Sequence, residues 1–393
     1  MRHRSAIAVL MALMLCACSA QTTFLRGTGD LGVIVERAAG RLKLIETSGR
    51  TELATIEGLG DLSHASVVYS RDTRYAYVFG RDGGLSKVDL LGARVVGRVV
   101  QAGNSIGGAI SQDGRLIAVA NYEPGGVKIF DAATLELLSD IPSVWGDGSR
   151  RAKVVGIADA PGNRFVFSLF EAGEIWIADV KDARRPVVRK LTGIGKEPYD
   201  GLITPGGRFY IAGLYGEDGL ALVDLWHEDA GARRILSGYG RGEEKMPVYK
   251  MPHLRGWAVA GNLVLLPAIG RNEVLIVDTA TWAEAGRVAV HGQPVFVIAQ
   301  PGGRHAWVNF AFPNNDTVQV IDIPARRVIR ELKPGRAVLH MEFTPRGEQV
   351  WISSRDDNHV TVYDTASFAP VARLPADRPS GIFLTSRAFA MGF

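Results

Sequence analysis

Apolar residues along most of this chain come in short runs separated by clusters of Gly, Asp, Asn and Pro, a pattern that predicts strands joined by tight turns rather than helices. From about Leu62 to the C-terminus the pattern recurs with a period of roughly 42 to 50 residues, the mark of a repeat architecture. Each unit opens with an apolar run, turns, continues into a second β-rich run and a hairpin, reaches an apolar run that ends in Asp, and closes with a last strand. The Asp markers are Asp89, Asp131, Asp179, Asp224, Asp278, Asp322 and Asp364, and turns such as Asp113-Gly114-Arg115 and Gly206-Gly207-Arg208 precede them, so seven complete units are visible. Four strands per unit predict an all-β fold, a β-propeller with one unit per blade. The chain ends supply a further blade: Leu31 to Val35, Arg41 to Ile45 and Glu52 to Ile56 from the N-terminal side, and Ile382 to Thr385 from the C-terminal side. The expected fold is an eight-bladed β-propeller, with seven blades as the alternative, whose last blade is closed by N- and C-terminal strands so that no sheet edge stays open.

Residues 1–18 read as a lipoprotein signal peptide: Arg2 and Arg4, an apolar run from Ala6 to Leu15, then Leu15-Cys16-Ala17-Cys18. The run is too short to span a membrane, and the last four residues resemble the bacterial lipobox, with Cys18 as the lipidated residue. Cys16 departs from the small residue usual at that position, and Ser19 stands where Asp would favour inner-membrane retention. Residues 19–29 are expected to be a flexible tether and 30–393 a single propeller domain. The expected location is therefore the periplasm, lipid-anchored, with the outer membrane favoured.

Both cysteines lie in the leader, so the propeller is expected to carry no disulfide and no Cys-based metal site. The formal charge of +4 falls to about +2 without Arg2 and Arg4, and the basic residues are interspersed with acids. No basic run with interleaved aromatics appears, which argues against nucleic acid as a partner. A core drawn from 47% hydrophobic residues is left to hold the domain together.

A ring of blades offers a central funnel to small ligands. Overlaying the repeats places His64, Asn104, Lys153, Tyr199, His253, Gln293 and His340 near the start of the innermost strands, and three of the eight histidines share that position. In an eight-fold ring His64, in the first complete unit, and His253, in the fifth, stand across the axis, where two imidazoles can address both faces of a flat metallo-macrocycle. Taken singly, each His reads equally as a hydrogen-bonded rim residue. Successive hairpin tips carry Arg37, Arg81, Tyr122, Phe170, Tyr215, Arg271, Phe312 and Arg355. Arginine forks suit carboxylates and aromatic rings suit planar ligands; against this, Arg and Tyr are ordinary on exposed hairpins. Two connections depart from the repeat, 143–153 with Trp145, Asp147, Arg150 and Arg151, and the long stretch 228–251; both are expected to overhang the funnel as lids or as surface decoration.

Asp61-Leu62-Ser63-His64, Arg74-Tyr75-Ala76-Tyr77-Val78-Phe79-Gly80-Arg81-Asp82-Gly83, Pro198-Tyr199-Asp200-Gly201, Met251-Pro252-His253-Leu254-Arg255-Gly256 and Glu348-Gln349-Val350-Trp351-Ile352-Ser353 resemble the haem d1 propeller of cytochrome cd1 nitrite reductase, over essentially the whole propeller. Without a Cys-x-x-Cys-His the chain lacks the cytochrome c part, and it is closer to the periplasmic haem d1 biosynthesis relatives of that propeller. The resemblance implies His64 as an axial iron ligand and His253 as one of two histidines on the other side, with Tyr199 where the second would stand. It implies Arg81 as a carboxylate anchor; Arg151, Arg255, Arg271 and His340 are added as further cofactor contacts by their expected places around the funnel. The ligand implied is haem d1 or its precursor, and the protein partners implied are other haem d1 maturation proteins or nitrite reductase; a homodimer through the face away from the funnel is a further expectation.

The expected function is a late step of haem d1 biosynthesis, with Asp147, Tyr199 and His253 as acid–base candidates. The alternatives are a non-catalytic haem d1 carrier and a non-enzymatic scaffold lipoprotein. A quinoprotein would repeat a Trp motif in every blade, whereas the seven Trp here are irregular, and a lactonase would gather Asp, Asn and Glu on Ca²⁺. Replacing Cys18 by Ser is expected to release the folded propeller from the membrane fraction; recovery of the variant in the membrane pellet at the parent level would show that another feature holds it there.

Overall fold

The computed structural model describes residues 27–238 and 256–390. Among these residues the strands form eight four-stranded antiparallel sheets and one two-stranded hairpin, an eight-bladed propeller. Blade one is built from both ends of the chain: Leu31–Glu36, Arg41–Glu46 and Thr51–Ile56 pair outward from the inner strand Pro379–Leu384. Gly32 lies opposite Leu384, Val33 opposite Phe383 and Ile34 opposite Ile382. A side chain at Gly32 would run into Leu384 and the Phe383 carbonyl, so the closing seam needs glycine there. Blades two to eight follow in chain order, with inner strands at Ser66–Tyr69, Asn104–Ile110, Val154–Ala160, Pro198–Ile203, Ala258–Ala260, Pro294–Ala299 and Val338–Phe343.

The core is divided among eight apolar layers, one between each pair of neighbouring blades. Strand alternation explains this division, since successive side chains leave opposite faces of a sheet. In blade four Phe165, Phe167 and Leu169 enter the layer shared with blade three, while Val166 enters the layer shared with blade five. The layer between blades eight and one contains Trp351, Val360 and Val362 from one side and Ile34, Ile45 and Ile382 from the other.

The repeated aspartates end the third strand of blades two to eight and cap the turn that follows. Backbone amides of Leu91, Ala133, Lys181, Trp226, Ala280, Ala325 and Ser367 donate to Asp89, Asp131, Asp179, Asp224, Asp278, Asp322 and Asp364. In several blades the arginine of the preceding tight turn then pairs with the marker, as Arg74 with Asp89, Arg208 with Asp224 and Arg304 with Asp322. These turns all lie on one face. The inner-strand starts and the hairpins between second and third strands lie on the other.

One expectation is corrected here. The stretch from Glu228 does not lead straight over the funnel: Glu228–Ala230 forms a 3-10 turn on the far face, and Ala232–Ile235 is the outer strand of blade five. That strand reads Ala-Arg-Arg-Ile, and because an outer strand faces solvent it carries little apolar signal. Residues 239–255 of this connection lie outside the described residues.

His340 sits two residues into the inner strand of blade eight and is fully buried. Its Nδ1 accepts the Ile382 amide at 3.0 Å, so the imidazole itself joins blade eight to the closing strand, and the ring stacks on Phe383. Burial first, and then the cation of Arg387, hold its pKa well below the ordinary histidine value. The folded state thus keeps this ring neutral where the unfolded chain protonates it, and stability is expected to be lost as pH falls below about 6.5, by up to about 1.4 kcal/mol per pH unit from this one group. Denaturant midpoints measured between pH 7 and 5 should show that slope, and His340→Gln should flatten it; an unchanged slope in the variant would contradict the assignment.

Candidate functional site

The funnel face is assembled in part by a repeated backbone link that fixes five of the hairpin tips to the segment leading into an inner strand. Amides of Arg81, Phe170, Tyr215, Ala311 and Arg355 donate to the carbonyls of Asp61, Lys153, Glu197, Gln293 and Ala337. Tip side chains and strand-start side chains therefore share one rim.

The rim is divided into sectors. Blades eight, one and two contribute Arg355, Arg37, Arg378 and Arg81, with Asp61 among them. Arg37 is half-buried; burial first, then the like charge of Arg355, push its pKa below the ordinary arginine value, with Arg378 and Arg81 adding to the effect and Asp61 opposing it. Arg355 rests on Asp356 at 2.7 Å within the 3-10 turn Arg355–Asp357, and Arg336 beside it is paired with Asp357. Among the described residues neither Arg37 nor Arg81 has a side-chain ion pair. Excess positive charge in a partly dry rim is electrostatically unfavourable until an anion arrives.

Blades three, four and five supply an aromatic sector. Phe170, Tyr199 and Tyr215 form a triangle with ring centroids 5.8 to 5.9 Å apart. Tyr122 and Trp145 pack against the same apolar layer. Tyr199 belongs to the inner strand Pro198–Ile203 and is 9% exposed, so its ring forms part of the wall. The 143–153 connection folds as a hairpin, Val144–Trp145 against Arg150–Arg151. Its tip is held by Asp147, which accepts from the Ser149 amide and hydroxyl, and Arg150 lies over the Trp145 ring at 3.9 Å.

The sites expected from sequence fall in different places. His64 lies half-buried at the approach to the inner strand of blade two, and Arg81 shares that blade's rim. Asp147 is exposed, and the hydrogen bonds from Ser149 hold its carboxyl below the ordinary aspartate range, so it is an anion rather than a proton donor. Arg151 is exposed at the base of the same hairpin, and Arg271 ends the 3-10 turn Ile269–Arg271 of blade six. His340 is inside the wall. His253 and Arg255, like Cys18, lie outside the described residues. Blade six, which would carry His253, does stand opposite blade two in the ring of eight. Sequence reading missed Arg378, which precedes the closing inner strand Pro379–Leu384; overlaying the eighth strand start with the other seven would have found it.

The far end of the channel is occupied by polar links. Arg71 donates to the carbonyls of Ala388, Ser111 and Ile110, at 2.6, 2.9 and 3.2 Å, and lies 3.5 Å from the fully buried carboxylate of Asp159. Arg387 forms a two-pronged pair with Glu342 at 2.6 and 2.7 Å. These links tie the C-terminal turn Thr385–Phe389 across the channel, on the side away from the arginines.

The cytochrome D1 heme domain model matches residues 26–388. A Stutzerimonas stutzeri relative, Protein NirF, is 60% identical over 380 residues, covering 96% of this chain and 97% of the relative. Protein NirF of Pseudomonas aeruginosa is 56% identical over 387 residues, covering 98% of each. Among solved structures, that of dihydro-heme d1 dehydrogenase NirN in complex with DHE superposes with a TM-score of 0.80 at 24% identity, covering 95% of this chain and 79% of that one; the likeness supports the propeller fold.

If the arginine sector is frustrated, Arg37→Met, which keeps the apolar stem and removes the charge, should melt at or above the parent temperature by calorimetry. A drop of several degrees would mean that Arg37 is satisfied by partners within the protein.

Proposed function

The chain belongs to the cytochrome D1 heme domain family, and on that premise we propose that it takes haem d1 or a late precursor into the funnel and acts in the maturation of that cofactor. The observation that carries this reading is the sectored rim: a half-buried Arg37 whose pKa is lowered by burial first and then by the like charges of Arg355, Arg378 and Arg81, facing a wall of Phe170, Tyr199 and Tyr215. A flat molecule with several carboxylates satisfies both sectors at once. Guanidinium forks bind carboxylates in pairs of charge-assisted hydrogen bonds, and aromatic faces favour planar neighbours.

In this reading His64 supplies an imidazole to the iron that the macrocycle brings with it, the usual role of a neutral histidine near a metal. His253, which the sequence repeat assigns to the opposite blade, would serve the other side, and Arg81 works with Arg37 as an anchor. Tyr199 is the proton donor or acceptor at the macrocycle edge, since it offers a phenol within the aromatic wall. Asp147, an exposed carboxylate that accepts from Ser149, can accept a proton but is not a donor. The second reading, a carrier that holds the cofactor for another maturation protein or for nitrite reductase without changing it, draws on the same two sectors, which supply affinity without a reacting group. The lipidated Cys18 holds the protein at the periplasmic side of a membrane in both readings.

Absorption spectra of purified parent and variants with ferric d1-type haem test the proposal. His64→Ala should alter the spectrum of the bound haem; identical spectra would remove His64 from the site, and no binding by the parent would overturn the reading. Catalysis is separated from carriage by Tyr199→Phe. With normal melting and normal haem affinity, loss of haem d1 formation in cells lacking the parent gene supports catalysis, where removing one acid–base group typically costs about 10²- to 10⁴-fold, and full restoration supports the carrier.

A further inference from the structure

We propose that Asp82 is a positioning residue for the iron site: its carboxylate, clamped by Arg98, sets where His64 and Arg81 stand relative to each other. The inference rests on the reading above, in which His64 addresses the iron and Arg81 a carboxylate, and adds what holds the two in register. Asp82 acts through the backbone that carries these two contacts, not on the macrocycle itself.

Asp82 lies in the hairpin tip of blade two, directly after Arg81. Its Oδ2 meets Nη2 of Arg98, on the outer strand of the same blade, at 2.5 Å and accepts the Asp61 amide at 3.3 Å, while Oδ1 accepts the Gly84 amide at 2.9 Å. Asp61 is the junction. Its carbonyl accepts the Arg81 amide at 2.8 Å, and its Oδ1 accepts the Ser63 amide at 2.8 Å, closing the turn from which His64 emerges. One carboxylate thus grips both the tip that carries Arg81 and the segment that carries His64.

The pair sits in a fitted niche rather than on open surface. The side chains of Arg98 and Asp82 are 25% and 32% exposed. A side chain at Gly60, Gly80 or Gly84 would run into Asp82, and at Gly60 or Gly84 into Arg98 as well. Gly60 also has a φ of 78°, so another residue there would be strained in its backbone too. Charge-assisted hydrogen bonds are the stronger kind, and groups that hold a metal ligand from behind fix its orientation.

The same clasp recurs around the rim, which supplies a control within the molecule. Glu36, Glu171, Glu217 and Asp357, at or beside the tips of blades one, four, five and eight, accept the amides of Asp377, Lys153, Lys196 and Arg336 at 2.6 to 2.7 Å. Each amide belongs to the segment leading into the inner strand of the same blade. The accepted amide is the leading cause that holds Glu217 and Asp357 below the ordinary carboxylate range. Glu217 matches Asp82 most closely, since its cation, Arg234 at 2.9 Å, also comes from an outer strand. Of the five clasps, only that of blade two serves a proposed iron ligand.

The test compares Asp82→Asn with Glu217→Gln, each close to its parent residue in size. Ferric d1-type haem is added to the purified full-length chain, and its absorption spectrum and affinity are recorded beside those of the parent and His64→Ala. Asp82→Asn is expected to shift the spectrum of the bound haem in the direction of His64→Ala and to weaken binding several-fold, while Glu217→Gln keeps the parent spectrum. In the ligand-free protein the Asp61 and Arg81 amides should exchange with solvent faster in Asp82→Asn than in the parent; equal exchange would overturn the clasp. Arg98→Gln, which keeps the acid and removes its cation, should act in the same direction and replaces Asp82→Asn if that variant does not fold. A parent spectrum in Asp82→Asn, with His64→Ala altered, would overturn the positioning role and leave the proposed function intact. Equal shifts in Asp82→Asn and Glu217→Gln would also overturn it, as a general loosening of the rim. Failure of the parent to bind the haem would overturn the proposed function and this inference together.

Discussion

Burial between neighbouring blades is the constraint on which everything else in this structure depends. No blade has a core of its own: each buries one face against its predecessor and the other against its successor, so the layers are complete only when the ring is closed. The pairing of Leu31–Glu36 with Pro379–Leu384 performs that closure, and Gly32 and His340 guard the seam, one by leaving room and the other by accepting the Ile382 amide. A closed ring fixes the spacing of the rim segments, so residues on loops far apart in sequence hold steady positions around one funnel. It also removes these loops from the work of folding, leaving their side chains open to choices that a core would not tolerate.

The arginine sector is such a choice. Arg355 is paired with Asp356, but Arg37 is half-buried, feels the like charges of Arg355, Arg378 and Arg81, and is opposed by Asp61. Stability alone would favour an acid or an apolar residue at one of these positions; function at a strained site often has this cost. The opposite end of the channel shows the contrary arrangement, with Arg387 matched by Glu342 and Arg71 by Asp159 and backbone carbonyls. At the far end Arg387 and Arg71 are paired, whereas at the mouth Arg37 and Arg81 have no side-chain ion pair among the described residues.

Much of the fold was legible in the residue pattern because the repeat combines two independent signals, strand alternation and the Asp turn cap. The closing blade could be read from Leu31 to Ile56 and Ile382 to Thr385 because its strands keep the same pattern although the chain is cut between them. Ala232–Ile235 escaped because an outer strand has little apolar signal, so its residues were assigned to the funnel insertion. The site was legible in kind rather than in arrangement. Tips read as half arginine and half aromatic, but their separation into two sectors depends on blade order in space. The hydrogen bonds that Asp147 accepts from Ser149 depend on a turn that spacing alone does not define. His340 shared its alignment position with His64, yet one imidazole is embedded between Phe296 and Phe383 and the other stands at the rim; residue type does not distinguish these surroundings.

The central claim is that a cationic sector facing an aromatic wall selects a flat polycarboxylate. It is tested most directly by titrating the protein with a d1-type macrocycle as the free acid and again as its methyl esters, at low and high ionic strength. The account predicts that the free acid binds more tightly and loses affinity as salt is added, because the pairing is between charges at a partly exposed rim, while the ester binds weakly and with little salt dependence. Equal affinities for acid and ester would contradict it.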